Sequence, residues 1–371
     1  MNILLLGEYS NVHWTLAEGL RTLGHKVTVV SDGDRWKGYC RDISIVRKWR
    51  ESDSFLLRGI GSILYLFRLA YVFRRLIGYD VVQIINPVFL DLKAERIMPF
   101  YRYLRCHNGK VFMAAYGMDK YWVKAGTDCH TFRYSDFNIG STIRNSKDNT
   151  QWRNEWLLGA KGKLNDKIAQ DCDGIIAGLY EYYASYEPYF ADKLRFIPFP
   201  IKENTKMQAI RKADDGVVKF FIGVQKTRSE YKGTDIMLLA LERVKTEYPD
   251  RCEIRVAESV PFTEYVQMLN DSHVLLDQLY SYTPAMNALQ AMAQGLVVVS
   301  GGEPENYEIL GEKELRPIIN VRPNEESVYE ELVKLVQHPE CIETLSRQSI
   351  AYIRHHNHIK VAQQYIDFYN N

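Results

Sequence analysis

The segment His273–Ser300 constrains the possible fold more than any other part of the chain. Its first part, His273–Leu279, is a short apolar run typical of a buried strand. After a polar, aromatic loop, Ala285–Gln294 is rich in Ala, Met, Leu and Gln, which favour a helix. Leu296–Ser300 is then a continuous apolar strand of the kind that is buried on both faces. This order predicts half of a parallel α/β unit, with its loop at the sheet edge where such proteins bind ligands.

The same alternation of strand and helix opens the chain. Asn2–Gly7 has the pattern of a strand that ends in a glycine turn, and Val12–Leu23 has helical periodicity with Asn11 as its expected N-cap. Lys26–Ser31 is a second strand, so the chain begins with a βαβ unit. Further strands are expected at Val81–Ile85, Lys110–Ala115, Gly174–Ala177 and Leu194–Ile197, and a further helix at Asp166–Asp173.

A polar stretch separates this half of the chain from a second half. Pro198–Pro200 breaks the pattern, and Lys202–Gly216 is charged, as expected of a linker between domains. Beyond it, strands are expected at Val218–Ile222, Cys252–Val256 and Leu315–Val321, and helices at Thr234–Glu247, Phe262–Asn270 and along the tail Glu325–Asn371.

We therefore predict an α/β protein of two Rossmann-like, doubly wound parallel-sheet domains that face a cleft. The expected first domain covers 1–200, the linker 201–216 and the second domain 217–350. The last expected helix covers 351–371, and packing of this helix back on the first domain is an open alternative. A length of 371 residues suits two domains of ordinary size.

Composition excludes several classes of protein. The formal net charge of +1 leaves no global basic field, so we expect no nucleic-acid partner. The six cysteines include no CxxC pair, which favours reduced, buried thiols in a cytoplasmic protein. The opening sequence MNILLLGEY lacks the basic region and the cleavage site of a signal peptide, which also favours the cytoplasm.

One apolar and aromatic segment, Leu56–Ile77, allows two interpretations. Its longest uncharged run, Gly59–Phe67, is far shorter than the ~20 residues that span a bilayer. The favoured interpretation is a core helix of the first domain. The alternative is a basic, aromatic helix that rests on the anionic cytoplasmic face of a membrane. Four arginines interrupt the segment: Arg58, Arg68, Arg74 and Arg75.

The loop Gly223–Gly233 (GVQKTRSEYKG) brings cations to the end of a strand. A glycine closes the strand, Lys226, Arg228 and Lys232 follow, and a helix begins after Gly233. Cations beside a helix N-terminus suit a diphosphate, and so do free N–H groups such as those expected around Thr283–Asn287. The alternative is a solvated loop with incidental charges.

These motifs resemble the carboxyl-terminal domain of the GT-B glycosyltransferases. The resemblance is carried by Gly223, by Lys232-Gly233 and by ALQAMAQGLVVVSGG (288–302), and is strongest to the retaining family 4, or group 1, enzymes of bacterial polysaccharide biosynthesis. It covers most of Val217–Leu310 and, more loosely, the first βαβ unit. It implies a glycosyltransferase that moves a sugar from a nucleotide diphosphate sugar to a glycan or glycolipid acceptor, with retention, in surface polysaccharide synthesis.

The resemblance also implies roles for individual residues. Lys232 and one upstream cation, Arg228 first and Lys226 second, would hold the donor diphosphate. The family's Glu-x7-Glu motif departs here at both ends. Its second Glu bonds ribose and matches Gln290, which keeps hydrogen-bonding capacity without charge. Its first Glu touches the donor sugar and matches Tyr282, which can contact a sugar hydroxyl but cannot stabilise developing positive charge as a carboxylate would. The remaining donor-binding candidates are Gly223, Thr283, Ala285, Met286 and Asn287, and substitute carboxylates are Asp277, Glu303 and Glu305.

The chemistry of such a site follows from its substrate. Breaking a glycosyl–phosphate bond produces an oxocarbenium-like sugar and an anionic diphosphate. Lys232, Arg228 and helix N–H groups can neutralise that anion. We therefore expect neither a metal ion nor a cofactor, with the nucleotide sugar serving as donor substrate.

The acceptor is expected on the first domain. His13, at a helix start, either contacts acceptor or donor phosphate or has no chemical role, and Asp119 either orients or deprotonates the acceptor or caps a turn. With Tyr282, these two are the catalytic candidates. The run His355–His358 is interpreted as an exposed tail rather than a metal site. The acceptor-binding candidates are Gly7, Glu8, Tyr9 and Asn86.

Two other functions remain open. One is a nucleotide-sugar epimerase of the same fold, which needs carboxylates and histidines around the donor sugar. The other is a catalytically weakened sugar-nucleotide-binding protein, which Gln290 favours. The expected partners are a nucleotide sugar and a glycan or lipid-linked acceptor, with peripheral contact to the inner membrane as an alternative.

Overall fold

A computed structural model describes residues 1–203, 208–224, 229–258, 260 and 262–371. The chain divides into two compact units, and neither is continuous in sequence. The first comprises 1–124, 150–200 and 358–371, and the second comprises 125–149 and 201–357. The division therefore differs from the expected one, because residues 125–149 belong to the second unit. Of the expected linker, 204–207 lie outside the described residues.

The strands and helices have the following bounds. The strands are β1 (Asn2–Leu6), β2 (Lys26–Ser31), β3 (Ile43–Ser44), β4 (Val81–Ile84), β5 (Lys110–Ala115), β6 (Asn138–Ile139), β7 (Thr142–Ile143), β8 (Gly174–Ala177), β9 (Leu194–Phe196), β10 (Val218–Val224), β11 (Cys252–Glu258), β12 (Val274–Leu276), β13 (Val297–Ser300) and β14 (Ile318–Asn320). The helices are α1 (Val12–Thr22), α2 (Phe55–Phe73), α3 (Met98–His107), α4 (Lys120–Thr127), α5 (Lys147–Arg153), α6 (Ala160–Asp171), α7 (Tyr180–Phe190), α8 (Ser229–Lys232), α9 (Thr234–Glu247), α10 (Phe262–Asn270), α11 (Met286–Ala293), α12 (Pro304–Leu310), α13 (Glu325–Gln337), α14 (Cys341–Tyr352) and α15 (His358–Asn370).

The first unit is built on a seven-stranded sheet of order β3-β2-β1-β4-β5-β8-β9, in which all pairs are parallel. Ile3, Leu4, Leu5 and Leu6 of β1 are all 0% exposed, as expected of a strand covered on both faces. The C-terminal helix α15 packs in this unit against α1. At Gly19 of α1 an added Cβ would lie 2.3 Å from a backbone oxygen of α15, so glycine permits the close approach.

The second unit is built on a five-stranded parallel sheet of order β11-β10-β12-β13-β14. The chain passes from β10 to β11 on one side and returns to β12 on the other, so the topological switch point lies between β10 and β12. Apolar residues of β10 pack with one face of α9 in the core. The predicted tail 325–371 is divided into α13, α14 and α15.

Residues 125–149, which we name the crossing segment, come from the first half of the sequence and belong to the second unit. They contain the antiparallel pair of β6 and β7. Phe132 and Phe137 are 1% and 0% exposed, and Asn138 is fully buried. The Asn138 side chain donates to the carbonyl oxygens of Phe132 and Gly140, which holds the turn together. The segment is therefore a packed element rather than a loose loop.

The expectation that Leu56–Ile77 forms a core helix is wrong for most of its length. Helix α2 is 19 residues long, and only 22% of its most apolar stretch is buried. Phe55, Ile63 and Phe67 are 82%, 57% and 70% exposed. This helix carries apolar side chains on all of its faces, and packing along one stripe can bury only part of them. Among the described residues it is the one helix with the length and composition to cross a membrane.

Two smaller expectations also need correction. All six cysteines are free thiols, but Cys172 and Cys252 alone are buried. The run of histidines near the C-terminus is not an exposed tail: His356 is 4% exposed, and His355 Nε2 lies 2.7 Å from a carboxylate oxygen of Glu312. Within the described residues no cluster of three or more His, Cys, Asp or Glu side chains could hold a metal ion.

Candidate active site

The loop after β10 ends in a turn that requires glycine. Lys226 and Arg228 lie outside the described residues, so the structure gives no account of them. The next described element is α8, whose last residue is Lys232. Gly233 follows with φ +74 and is the N-cap residue of α9. An added Cβ there would lie 2.6 Å from Leu279 Cβ, so both the left-handed backbone and the close contact exclude a larger residue.

That close contact joins the two motifs that the sequence singled out. The Leu279 N–H donates to the Lys232 carbonyl oxygen at 2.9 Å, across the switch point between β10 and β12. Lys232 itself is partly exposed, and its ammonium has no hydrogen-bond or ion-pair partner within the described part of the chain. A cation is thus held by its backbone beside the loop that follows β12. Gly223, in β10, packs against the Tyr265 ring.

The N-terminus of α11 follows the loop after β12. Ala285 is the cap residue, and no side chain caps the helix among the residues described. Asn287, in the first turn, donates to Asp277 Oδ1 at 3.0 Å and accepts from the Tyr265 hydroxyl at 2.9 Å. Thr283 is 3% exposed. Within the described part of the chain, the first-turn amides of α11 therefore have no side-chain cap, which suits an anion.

Two more donor-site candidates lie on α11. Met286 is 5% exposed and contributes to the core, whereas Gln290 is exposed on the helix surface. An exposed Gln290 side chain is free of the packing constraints that would prevent it from bonding a ligand. Its ribose-binding role stays a prediction.

Tyr282 is covered by the crossing segment. Its side chain is 2% exposed, and its hydroxyl accepts a hydrogen bond from the Arg133 N–H at 2.7 Å. The Arg133 guanidinium lies 4.7 Å from the ring centroid, and the Tyr134 ring packs at 5.0 Å. Burial raises the pKa of Tyr282 to about 12, so it is a neutral phenol at pH 7. A sugar contact by this hydroxyl stays a prediction.

The crossing segment also holds the carboxylates after β13. Arg133 pairs with Glu303 at 2.9 Å and with Glu305, and its hydrogen bond to Glu305 lowers the pKa of that carboxyl. The Tyr134 hydroxyl donates to Glu303 Oε1 at 2.5 Å. Glu303 is 9% exposed. The arrangement brings a cation, a carboxylate pair and Tyr282 to the carboxyl edge of the second sheet.

In the first unit, Glu8 takes the capping role that was expected of Asn11. The Glu8 carboxylate accepts from the N–H groups of His13 and Trp14 at 3.1 and 2.9 Å, at the start of α1. Asn11 occupies the N-cap position as expected, with φ 69, but its side chain makes no cap bond. Burial raises the pKa of Glu8 to about 8, against the two amide bonds, which favour the ionised form.

His13 is enclosed in a buried chain of hydrogen bonds. Its Nδ1 lies 2.8 Å from the Gly7 carbonyl oxygen and its Nε2 lies 3.0 Å from Gln83 Nε2. Gln83 Oε1 in turn accepts from the Tyr369 hydroxyl of α15 at 2.6 Å. These partners assign the proton to Nδ1, and burial lowers the pKa of His13 to about 3. The ring is 0% exposed, so a chemical role would require this chain to open.

The other first-unit candidates are also well connected. Asn86 follows β4, accepts from the Val88 N–H at 3.0 Å and is 1% exposed. Asp119 precedes α4, accepts from the Trp122 N–H and the Tyr186 hydroxyl, both at 2.9 Å, and is 0% exposed. Burial raises the pKa of Asp119 to about 7. Gly7 and Tyr9 flank Glu8 in the turn after β1, and Tyr9 is partly exposed.

Two features were missed from the sequence. Two acidic residues, Asp32 and Asp34, follow β2, and their carboxylates bind backbone N–H groups. Asp34 accepts a hydrogen bond from Ser10 N at 2.9 Å, and Asp32 accepts one from Asp34 N at 3.0 Å. The larger omission is the crossing segment. The signal was available, because a stretch between β5 and α6 that is too long for an ordinary loop must contain structure of its own.

No family model matches the chain, and no curated protein is detectably similar to it in sequence. Solved structures are similar in fold. Sucrose-phosphate synthase from Thermosynechococcus elongatus gives a TM-score of 0.61 at 13% identity, covering 100% of this chain and 98% of the other. Anabaena HepE, in complex with UDP and glucose, gives 0.59 at 10% identity, covering 99% and 98%.

S. aureus TarM, solved in complex with UDP, fondaparinux and a GlcNAc-glycerol, gives a TM-score of 0.56 at 10% identity. The match covers 83% of this chain and 59% of TarM, so the chain spans less than two thirds of that protein. Identities this low carry the architecture and not the activity. The fold of this chain, two units each built on a parallel sheet, is therefore the GT-B fold.

Proposed function

We propose that the protein is a glycosyltransferase that moves a sugar from a nucleotide diphosphate sugar to a glycan or glycolipid acceptor. The observation that carries this proposal is the hydrogen bond from Leu279 N–H to the Lys232 carbonyl oxygen. It places Lys232, whose side chain is partly exposed, beside the loop that leads from β12 to α11, at the switch point of a parallel sheet. A cation next to free helix N–H groups favours a diphosphate over a neutral ligand.

The proposed chemistry follows from this placement of charge. As the glycosyl–phosphate bond breaks, negative charge grows on the leaving diphosphate, and Lys232 with the first-turn amides of α11 stabilises it. Of the two predicted upstream cations, Arg228 is the first choice and Lys226 the second. Glu303 supplies a carboxylate near Tyr282, the position where the resembling family has a glutamate. We propose retention of configuration and no requirement for a metal ion or cofactor.

The acceptor half of the proposal rests on the first unit. Gly7, Glu8 and Tyr9 follow β1 and Asn86 follows β4, at the carboxyl edge of the first sheet. Helix α2 of the same unit exposes large apolar side chains together with Arg58 and Arg74, whose guanidinium groups have no partner among the described residues. This combination suits the surface of an anionic membrane. We propose a lipid-linked acceptor, a cytoplasmic enzyme at the membrane face and a role in surface polysaccharide synthesis.

The test is a calorimetric titration with UDP, ADP and GDP and with the matching nucleosides, followed by turnover with the preferred sugar nucleotides. We expect one diphosphate to bind more tightly than its nucleoside, and mass spectrometry to show glycosyl transfer that persists in EDTA. Isomerised donor without acceptor would indicate the epimerase, and binding without any turnover would indicate the catalytically weakened protein. A chain that binds none of the diphosphates contradicts the proposal.

A further inference from the structure

The crossing segment contacts every loop of the second unit that carries a donor-site candidate. Asp136 and Arg144 reach α8 after β10, and Arg144 also lies over the Tyr280 ring after β12. Arg133 reaches Tyr282 and, beyond β13, Glu303. These contacts all lie within one compact unit. Residues from the first half of the sequence therefore brace the carboxyl edge of the second sheet.

The bracing is most direct at α8. The Tyr231 hydroxyl donates to Asp136 Oδ2 at 2.5 Å, a charge-assisted hydrogen bond. Arg144 donates through Nη2 to the Glu230 carbonyl oxygen at 2.7 Å and through Nη1 to the Asp136 carbonyl oxygen at 3.0 Å. The guanidinium carbon of Arg144 lies 3.5 Å from the centroid of the Tyr280 ring, on which it stacks. The Arg144 side chain therefore contacts both α8 and the loop after β12.

Helix α8 needs such external contacts because it is only four residues long. A helix of one turn has no stability of its own, since nucleation costs more than its few hydrogen bonds return. It is supported by the bond from Gly233 N–H to the Ser229 carbonyl oxygen at 2.8 Å, by the bond from Leu279 N–H to the Lys232 carbonyl oxygen, and by the contact of Ser229 Oγ with Thr234 Oγ1 at 2.9 Å. Asp136 and Arg144 add contacts from the crossing segment to Tyr231 and Glu230.

We infer that the crossing segment is a positioning element for the donor diphosphate: Asp136 and Arg144 hold α8 so that Lys232 stays at the diphosphate position. The inference rests on the proposed function and adds the residues on which its donor selectivity depends. It follows that loss of the Asp136–Tyr231 bond weakens binding of a diphosphate and leaves binding of a nucleoside unchanged, because α8 contributes only to the phosphate end.

The experiment compares full-length wild type with Tyr231→Phe, Asp136→Ala and the double variant. Calorimetry with UDP, ADP and GDP and their nucleosides gives the ratio of the two affinities for each protein. We expect each single variant to lose roughly fivefold to tenfold in diphosphate affinity, with nucleoside affinity unchanged. The double variant should lose no more than either single variant, because both remove the same bond. Steady-state kinetics should show a raised donor KM with kcat nearly unchanged.

Tyr329→Phe is the matched control. It removes a tyrosine–carboxylate hydrogen bond, to Glu247, elsewhere in the same unit, and should leave the affinity ratio unchanged. A wild type that does not prefer a diphosphate contradicts the proposed function. A wild type that prefers one, with variants that keep the full preference, overturns this inference alone. Equal losses for diphosphate and nucleoside, with a lowered melting temperature, would also overturn it, because they indicate a general structural role.

Discussion

Lys232 is the residue on which the proposed donor site depends most directly. Its backbone is fixed by Leu279 and by the glycine that follows it, while its side chain is partly exposed. Lys232→Ala should weaken diphosphate binding by about 1.5–3 kcal/mol, the usual contribution of a hydrogen bond to a charged group, and should affect nucleoside binding little. Calorimetry measures both, with the exposed Lys313→Ala as control. Equal losses for both ligands would place the ammonium away from the phosphate.

Gln290 tests whether the roles implied by the family resemblance apply to this chain. If its side chain bonds ribose, Gln290→Glu should bind a nucleotide equally well or more tightly, because a charged acceptor makes a hydrogen bond roughly twice as strong as a neutral one. Gln290→Leu should weaken binding to ribose nucleotides while the fold is retained, since the residue is exposed. The 2′-deoxyribose nucleotide is the control ligand. If neither substitution changes binding to either nucleotide, the residue is an ordinary surface position of α11.

His13 gives the first unit a dependence on pH. Its folded-state pKa of about 3 lies below the unfolded value of 6.5, so the unfolded chain binds more protons between these values. Stability should therefore fall as pH decreases through 6.5, by about 1.4 kcal/mol per pH unit until the folded pKa is reached. Thermal unfolding between pH 5 and 7 measures this slope, and His13→Asn should flatten it. An unchanged slope in the variant would assign the effect to other groups, such as His273, whose pKa burial lowers to about 4.

At the scale of elements, α2 is the feature with the clearest consequence outside the molecule. Its exposed apolar side chains and its arginines predict sedimentation with anionic vesicles at low salt and release at high salt. Because each cation near such a surface contributes about 1 kcal/mol, the double variant Arg58→Ala/Arg74→Ala should bind roughly 30-fold more weakly. Phe55→Ser/Phe67→Ser should weaken binding at any salt concentration, and Lys313→Ala should bind like wild type. Wild type that stays in solution with anionic vesicles at low salt would rule out membrane contact.

Across the whole molecule, the regular parallel architecture was predictable and the long-range additions were not. Strands such as Lys26–Ser31 and helices such as Thr234–Glu247 carry their signal locally, in apolar runs bounded by glycine or in helical periodicity. The approach of Lys232 to the loop after β12 follows from that topology alone. The burial of Tyr282 does not, because its cover comes from Arg133 and Tyr134, which are distant in sequence. Periodicity likewise showed that α2 is a helix without showing that most of it remains uncovered.

The interleaving of the chain has a consequence for synthesis on the ribosome. The first unit includes 358–371, so until α15 has emerged α1 lacks its helix partner and Gln83 lacks the Tyr369 hydroxyl. The crossing segment emerges well before residues 201–357, so it lacks the rest of its unit until those residues have been synthesised. Each unit combines segments that are far apart in the sequence, so neither can complete its packing from its first segment alone. The second unit is complete only when residue 357 has been synthesised, and the first only when α15 has followed. A nascent chain halted before α15 therefore exposes the surface of α1 on which that helix packs.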